Sequence, residues 1–171
     1  MLRLLTPLLL LPAGCVTPAS DDSAPAATAE LRAPDGRMMG RARVTSMGNG
    51  AHLVLEAQGL PQGRYGAHLH MTGRCEGPAF ASAGGHWNPT GRQHGTQNPQ
   101  GHHLGDLPNL EVGADGTGRI EFHVEGATLR DGAGAILDAD GTAVVIHAAA
   151  DDHRTDPSGN SGDRIACGVL N

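Results

Sequence analysis

The chain has 171 residues, of which 39% are hydrophobic and 18% charged, a composition that fits one globular domain with a sizeable core. Its 12 cationic side chains are all arginine, and 18 Asp and Glu residues give a formal charge of −6, which excludes nucleic acid as an expected partner. Aromatic residues are only 2% of the chain, whereas 26 glycines favour turns over long helices.

The first fifteen residues, MLRLLTPLLLLPAGC, combine one cation with a leucine-rich run that ends at Cys15. Spanning a bilayer takes about 20 apolar residues, so this run predicts an export signal over residues 1–14. The ending PAGC resembles a bacterial lipobox, although Pro12 stands where leucine is usual. We expect a lipid on Cys15 that holds the protein at a bacterial membrane on the periplasmic side. An unlipidated secretory signal, or no signal at all, is the alternative.

The residues that follow Cys15, VTPASDDSAPAATAEL, are small and polar, include prolines and show no periodic apolar face. This composition predicts a flexible tether over residues 15–31 and a folded domain over residues 32–171.

Short strands separated by turns dominate the predicted domain. RARVTSM and AHLVLEAQGL flank an Asn-Gly pair at residues 49 and 50, a pattern typical of a hairpin. The segment GRIEFHVEG alternates apolar and polar residues, and GTAVVIHAAADD contains a buried strand that ends at His147. No clean helical run appears, so the pattern predicts an antiparallel sandwich or barrel. Residues 71–109 and 148–165 resist strand assignment, and loops of this length are commonly functional.

Histidines are the compositional outlier, with ten in the chain. His68 and His70 lie two apart on a predicted strand, so their side chains share a face and could bind one metal ion. Exposed strand histidines would give the same pattern, and this pair alone leaves both interpretations open.

Further histidines in the long loop favour metal binding. His86, His94 and His103 precede Asp106, and three imidazoles with one carboxylate suit a tetrahedral zinc site. His147 could join His68 and His70, and all-imidazole ligation favours copper(II). Two four-coordinate ions need about eight protein bonds from these seven residues. One imidazole would therefore have to bind both ions, deprotonated at both nitrogens.

Six motifs in order, GAHLH, SAGGHWNP, RQHG, HLGDLPNL, VVIHAAADD and GDRIACGVL, resemble the copper,zinc superoxide dismutase family in its bacterial periplasmic form. The resemblance covers about residues 37–171. It implies an all-β fold, an eight-stranded Greek-key β-barrel of the immunoglobulin-like sandwich type, with long metal-binding and electrostatic loops. It also implies that superoxide is converted to dioxygen and hydrogen peroxide by a redox-cycling copper bridged to a structural zinc.

The resemblance assigns roles residue by residue. The copper ligands that it implies are His68, His70, His86 and His147. The zinc ligands that it implies are His86, His94, His103 and Asp106, so that His86 is the shared bridge and also the group that carries the proton. Asp151 matches a carboxylate that links a copper histidine to a zinc histidine, and Arg164 matches the arginine that binds the substrate anion.

Three cysteines leave one unpaired in an oxidising compartment, but a lipid on Cys15 would leave Cys75 and Cys167 as a disulfide pair. The four remaining histidines have no motif partner and are expected in surface or ordinary polar positions: His52, His102, His123 and His153. A periplasmic copper and zinc binding or buffering protein on the same scaffold is the alternative function. Arg164 separates the two, because a buffer needs no anion-binding guanidinium. The sequence leaves the choice between a monomer and a homodimer open.

Overall fold

The computed structural model describes residues 25–171. The predicted signal peptide and the predicted lipid site at Cys15 lie outside the described residues. Nine strands occur in the described part of the chain, in the order β1 (Ala26–Arg32), β2 (Met38–Met47), β3 (Gly50–Gln58), β4 (Gly63–Tyr65), β5 (Ala67–His70), β6 (Leu110–Val112), β7 (Thr117–Glu125), β8 (Ala143–His147) and β9 (Arg164–Val169). A 3-10 turn spans Ala81–Ala83. None of the helices in residues 25–171 is long and apolar enough to cross a membrane.

The strands form one antiparallel sheet that almost closes on itself, in the order β4, β6, β7, β3, β2, β1, β9, β8, β5. Its two outermost strands, β4 and β5, are consecutive in the chain and are separated only by Gly66. One extended segment therefore pairs with β6 through its first half and with β8 through its second half. This shared segment brings the two ends of the sheet together, so the barrel is nearly closed.

The predicted β-barrel is confirmed, but the strand count of eight is wrong by one. The segment from residue 63 to residue 70 divides at Gly66, because the backbone N–H of Gly66 donates to Ala149 and its carbonyl accepts from His147. Those bonds replace the regular ladder at that position. The hairpin turn is also displaced by one residue: Met47 pairs with Gly50, so Gly48 and Asn49 form the turn.

The predicted start of the domain at residue 32 is wrong, because β1 begins at Ala26 inside the segment predicted as tether. Ala27, Ala29 and Leu31 are buried on the barrel side, and β1 pairs with β2 along its length. Alanine has low strand propensity, so AATAEL carries little local signal. Pairing with β2 and burial of the alternate residues make it a strand.

Strand β5 is buried on both faces, although its residues alternate between apolar and polar. Ala67 and Leu69 point into the main barrel core, as the pleat of a strand requires. His68 and His70 point to the opposite face, where they are buried and lie within hydrogen-bond distance of Asp151 and Gly84 in the two long loops. The outward face of one strand thus becomes an interior that is polar.

The long loop after β5 runs back along the free side of that strand. The N–H of Trp87 donates to Leu69, the N–H of Leu69 donates to Gly105, and the N–H of Leu107 donates to Ala67. A Cβ at Gly105 would lie 2.5 Å from the carbonyl oxygen of Leu69, so this close return requires glycine. These ladder-like bonds hold a loop without regular strands in register beside β5.

A disulfide joins Cys75, in the loop after β5, to Cys167 in β9, which confirms the predicted pair. The cysteines are 92 residues apart in sequence. They border a second, smaller apolar cluster whose buried members are Phe80, Ala83, Ala143, Val145 and Cys167. The disulfide and this cluster fix the loop that carries Phe80 and Gly84 against β8 and β9.

Replacing both cysteines by serine (Cys75→Ser with Cys167→Ser) is expected to lower the unfolding free energy of the metal-free protein by about 4 kcal/mol, because the crosslink closes a long loop and restricts the unfolded chain. Denaturant unfolding measures this change. Reductant should destabilise the wild-type protein similarly and leave the double variant unaffected. A double variant as stable as the oxidised wild type would contradict the expectation.

Candidate metal centre

Four buried imidazoles lie together above the outward face of β5. This first donor set consists of His68, His70, His86 and His147, and one ring nitrogen from each lies within 4.8 Å of the others. Two members come from β5, one from the end of β8 and one from the loop that runs beside β5. The register explains the convergence, because His70 forms a β-bridge with His86 and the N–H of His147 donates to Gly66.

A fixed acceptor holds one ring nitrogen of three members of this set. Nδ1 of His70 lies 2.9 Å from the Gly84 carbonyl oxygen, and Nδ1 of His147 lies 3.0 Å from that of Gly162. Nε2 of His68 lies 2.8 Å from Oδ2 of Asp151. Each acceptor places the ring proton on the nitrogen that faces it, so the opposite nitrogen presents its lone pair to the centre of the set.

A second donor set, comprising His86, His94, His103 and Asp106, surrounds one carboxylate oxygen. Oδ1 of Asp106 lies 2.9 Å from Nδ1 of His86, 3.0 Å from Nδ1 of His94 and 3.2 Å from Nδ1 of His103. Oδ2 of Asp106 accepts the backbone N–H groups of Gly95 and His103. The structure therefore brings together all four residues predicted to bind zinc.

His86 is common to both sets. Its Nδ1 faces Asp106, and its Nε2 faces the other way, buried and without a hydrogen-bond partner among the described residues. Its ring stacks on His68 with centroids 3.9 Å apart and planes inclined by 28°. One imidazole thus presents one nitrogen to each donor set.

Asp151 links the two donor sets by a hydrogen bond to one histidine of each. Its Oδ2 accepts from His68 and its Oδ1 from Nε2 of His94, at 2.8 and 2.9 Å. The carboxylate is fully buried, and both histidines have side chains with no exposed surface. This is the connection that the sequence resemblance implied for Asp151.

The donor chemistry and the unpaired atoms fit metal ions. Nδ1 of His68 and Nε2 of His86 are buried without partners in the described protein, an arrangement that is costly unless another group satisfies them. Four imidazoles suit copper(II), and three imidazoles with one carboxylate suit zinc. The donor types of the two sets, which share the ring of His86, thus match those that copper and zinc prefer.

Arg164 lies at the opening over the first set. It lines a cavity together with His70, His86 and His147. An irregularity between β8 and β9 pairs His147 with Arg164 and leaves Ile165 as the extra residue. The guanidinium donates to the carbonyl oxygens of Phe80 at 2.7 Å and Gly84 at 2.6 Å. Those two bonds hold its charge in a fixed position beside the imidazoles.

Burial governs the charge state of the first set. It lowers the pKa of His68 to about 3, of His70 to about 2 and of His147 to about 4. These imidazoles are neutral at pH 7, the form that binds metal.

Hydrogen bonding governs the charge state of the residues around the carboxylates. Burial alone would lower the pKa of His94, but hydrogen bonds to Asp106 and Asp151 raise it to about 9. Burial alone would raise the pKa of Asp106, yet hydrogen bonds from His103, His86 and His94 hold it well below its usual range. The second set therefore contains an ionised carboxylate, as a cation site requires.

The structure adds groups that sequence reasoning missed. His153, expected in a surface or ordinary polar position, has a side chain only 20% exposed and lies against Asp151. Asn109, also missed, bonds to both. The carbonyls of Gly84 and Gly162 leave no signal in sequence, because any residue supplies a carbonyl. As expected, His102 is exposed.

The metal-free protein is expected to lose stability as the pH falls below about 6.5. His68, His70 and His147 take up protons there when unfolded but stay neutral when folded, so the stability present above pH 6.5 is lost on acidification. The loss by pH 5 is on the order of 6 kcal/mol for the three rings. Denaturant unfolding across this range measures it.

The variant His147→Gln should reduce this pH dependence by about one proton, whereas the exposed His123→Gln should not change it. An identical slope in the wild-type protein and His147→Gln would contradict the assignment of a low pKa to His147.

Comparison with known proteins places this site in a family. A family model described as copper/zinc superoxide dismutase matches residues 38–170. A superoxide dismutase [Cu-Zn] of Caulobacter vibrioides is 43% identical over 147 residues, 84% of each chain, and superoxide dismutase [Cu-Zn] 2 of Aquifex aeolicus is 41% identical over 146 residues, 84% of this chain and 85% of the relative. The crystal structure of a SOD-like protein from Bacillus subtilis matches with a TM-score of 0.80 at 43% identity, covering 84% of this chain and 97% of that one. The chain belongs to the copper/zinc superoxide dismutase family.

Proposed function

We propose that this chain converts superoxide to dioxygen and hydrogen peroxide, with copper bound by the first donor set and zinc by the second. The observation that carries the proposal is the position of His86, whose two ring nitrogens face the two sets. A protein that bound one ion, or two independent ions, would have no need of a shared imidazole. Family membership supports the same activity.

Copper, when bound, supplies the one-electron redox chemistry that dismutation requires. The residues of this chain bind the superoxide anion, orient the nitrogens that would hold the metals and supply a proton to the product. Arg164 attracts the superoxide anion to the opening, where its planar guanidinium can hold a small oxyanion. His86 can hold a proton at Nε2 while Nδ1 stays with the second set, and can pass it to the peroxide product. The fixed acceptors on the other three rings keep their donor nitrogens aimed at the same point.

The position of Arg164 favours an enzyme over the alternative copper and zinc buffering protein. Two carbonyl oxygens clamp its guanidinium beside the histidines, although burial disfavours its charge and lowers its pKa. A storage site gains nothing from a cation next to bound copper, since like charges repel. A catalyst that must attract an anion gains substrate affinity.

We also propose export to the periplasm with a lipid on Cys15. The leucine-rich start of the chain and the PAGC ending support this location. The Cys75–Cys167 disulfide supports it too, because disulfides persist in oxidising compartments such as the bacterial periplasm. Mass spectrometry of the protein purified from membranes tests the proposal, and an unmodified Cys15 on a soluble mature protein would contradict it.

Metal analysis with a superoxide-consumption assay tests the catalytic proposal directly. The purified protein should contain one copper and one zinc per chain and consume superoxide catalytically. Chelation should abolish activity, and copper added back should restore it. A protein that binds both metals yet consumes superoxide no faster than free buffer would be a metal buffer instead.

The variant Arg164→Ala should keep both metals and lose about tenfold in the superoxide rate, with a weaker dependence on ionic strength, because the cation that attracts the anion is gone. Arg119→Ala, which removes an exposed arginine on the outer face of β7, is the matched control and should retain the wild-type rate. If Arg164→Ala binds metal normally and keeps both the wild-type rate and its salt dependence, the role given to Arg164 is wrong.

A further inference from the structure

Asp151 connects the two donor sets, so a group that holds its carboxylate in place also helps to orient the histidines of both sets. Beyond the two imidazoles, Oδ1 accepts the backbone N–H of His153 at 2.6 Å. His153 adopts a left-handed backbone with φ 59°, which is unusual for a residue other than glycine. This conformation lets both the backbone N–H and the ring of His153 face the same carboxylate.

Asn109 clamps the backbone of Asp151 from the opposite side. Its Oδ1 accepts the N–H of Asp151 at 2.7 Å, and its Nδ2 donates to the carbonyl oxygen of Asp151 at 2.9 Å. The Nδ2 group also lies 3.0 Å from Nε2 of His153. Because Oδ1 is the acceptor in the first bond, Nδ2 must be the donor in both others. Asn109 is buried, so water does not compete for these bonds.

The Asn109 contact decides which nitrogen of His153 carries the proton. Nε2 accepts from Asn109, so the ring proton lies on Nδ1. Nδ1 is buried, has no hydrogen-bond partner among the described residues and lies 3.8 Å from Oδ2 of Asp151. The ring therefore presents its positive edge to the carboxylate that His68 and His94 share.

His153 also joins the loop that carries the second donor set. Its carbonyl oxygen accepts the N–H of Gln97 at 2.9 Å. A Cβ at Gly95 would collide with the same oxygen. Only glycine at this position therefore lets the chain next to His94 come this close to His153. His153 thus contacts Asp151, Asn109 and the segment after His94 at once.

We propose that His153 is a positioning residue, which locks Asp151 between His68 and His94 and thereby sets how tightly the second donor set holds zinc. The inference rests on the proposed function, since it takes the second donor set as the zinc site. Loss of an outer hydrogen-bonding partner of a metal ligand commonly weakens metal binding by about 10- to 100-fold. His153 acts through Asp151 rather than on a ligand directly, so we expect the lower end of that range.

Zinc affinity of purified full-length variants, measured by competition with a chelator, tests the proposal. His153→Phe keeps a flat ring of similar size but removes both nitrogens, and should weaken zinc binding about tenfold. Cobalt(II) bound in place of zinc should show altered visible absorption bands in this variant, because the ligands are held less firmly. His153→Gln can again accept from Asn109, and should recover zinc affinity to within about threefold of the wild type.

The exposed His102→Phe, beside His103, is the matched control and should keep wild-type zinc affinity and cobalt bands. Thermal unfolding of the metal-free proteins shows whether His153→Phe merely weakens the fold, since positioning requires that its melting temperature stay close to that of the wild type. Wild-type zinc affinity and cobalt bands in His153→Phe would overturn the proposal. So would a loss of zinc affinity in His153→Phe that is accompanied by a collapse of its metal-free stability.

These measurements do not depend on turnover. A wild-type protein that binds zinc but does not consume superoxide would refute the proposed function. The comparison of zinc affinities would still decide the role of His153.

Discussion

The structure depends on one constraint, which is that three of the imidazoles buried above β5, those of His68, His70 and His147, must each have one nitrogen held by an acceptor and the other free for a cation. The rings are buried, so a ring with the wrong nitrogen protonated would leave buried polar atoms unsatisfied at considerable cost. Carbonyls and carboxylates of neighbouring loops supply the acceptors. The loops are therefore as much part of the centre as the histidines, because they choose the tautomer of each ring.

The barrel supplies what the loops lack, a rigid strand to which they can be attached. Strand β5 offers backbone groups on its free side, and the segments around Trp87 and Gly105 pair with them. Two stretches of irregular chain thereby gain the positional precision of a sheet. This arrangement also explains why a polar face is buried at all, since the loops that cover it bring the partners that its histidines require.

Much of the centre could be predicted from sequence, because the histidines and Asp106 occur in short motifs whose residue types have few other uses together. The barrel class followed from the alternating strands. Other features could not be predicted. The strand at Ala26 is built from alanines and gains its structure from pairing. His153 stands in no motif, and its contact with Asn109, 44 residues away, exists only after two loops meet. Interactions made by backbone carbonyls are likewise invisible in a list of side chains.

The carbonyl oxygen of Gly84 accepts from both His70 and Arg164. A single atom therefore sets the direction of a ring proposed to bind copper and the location of the guanidinium proposed to attract the anion. A mutation that moves this oxygen to change the attraction for substrate would also turn the imidazole of His70. A mutation that turns the imidazole would likewise shift the guanidinium of Arg164. Adaptation of such an enzyme is then confined to groups farther out, and the immediate surroundings of that oxygen should tolerate little variation over evolutionary time.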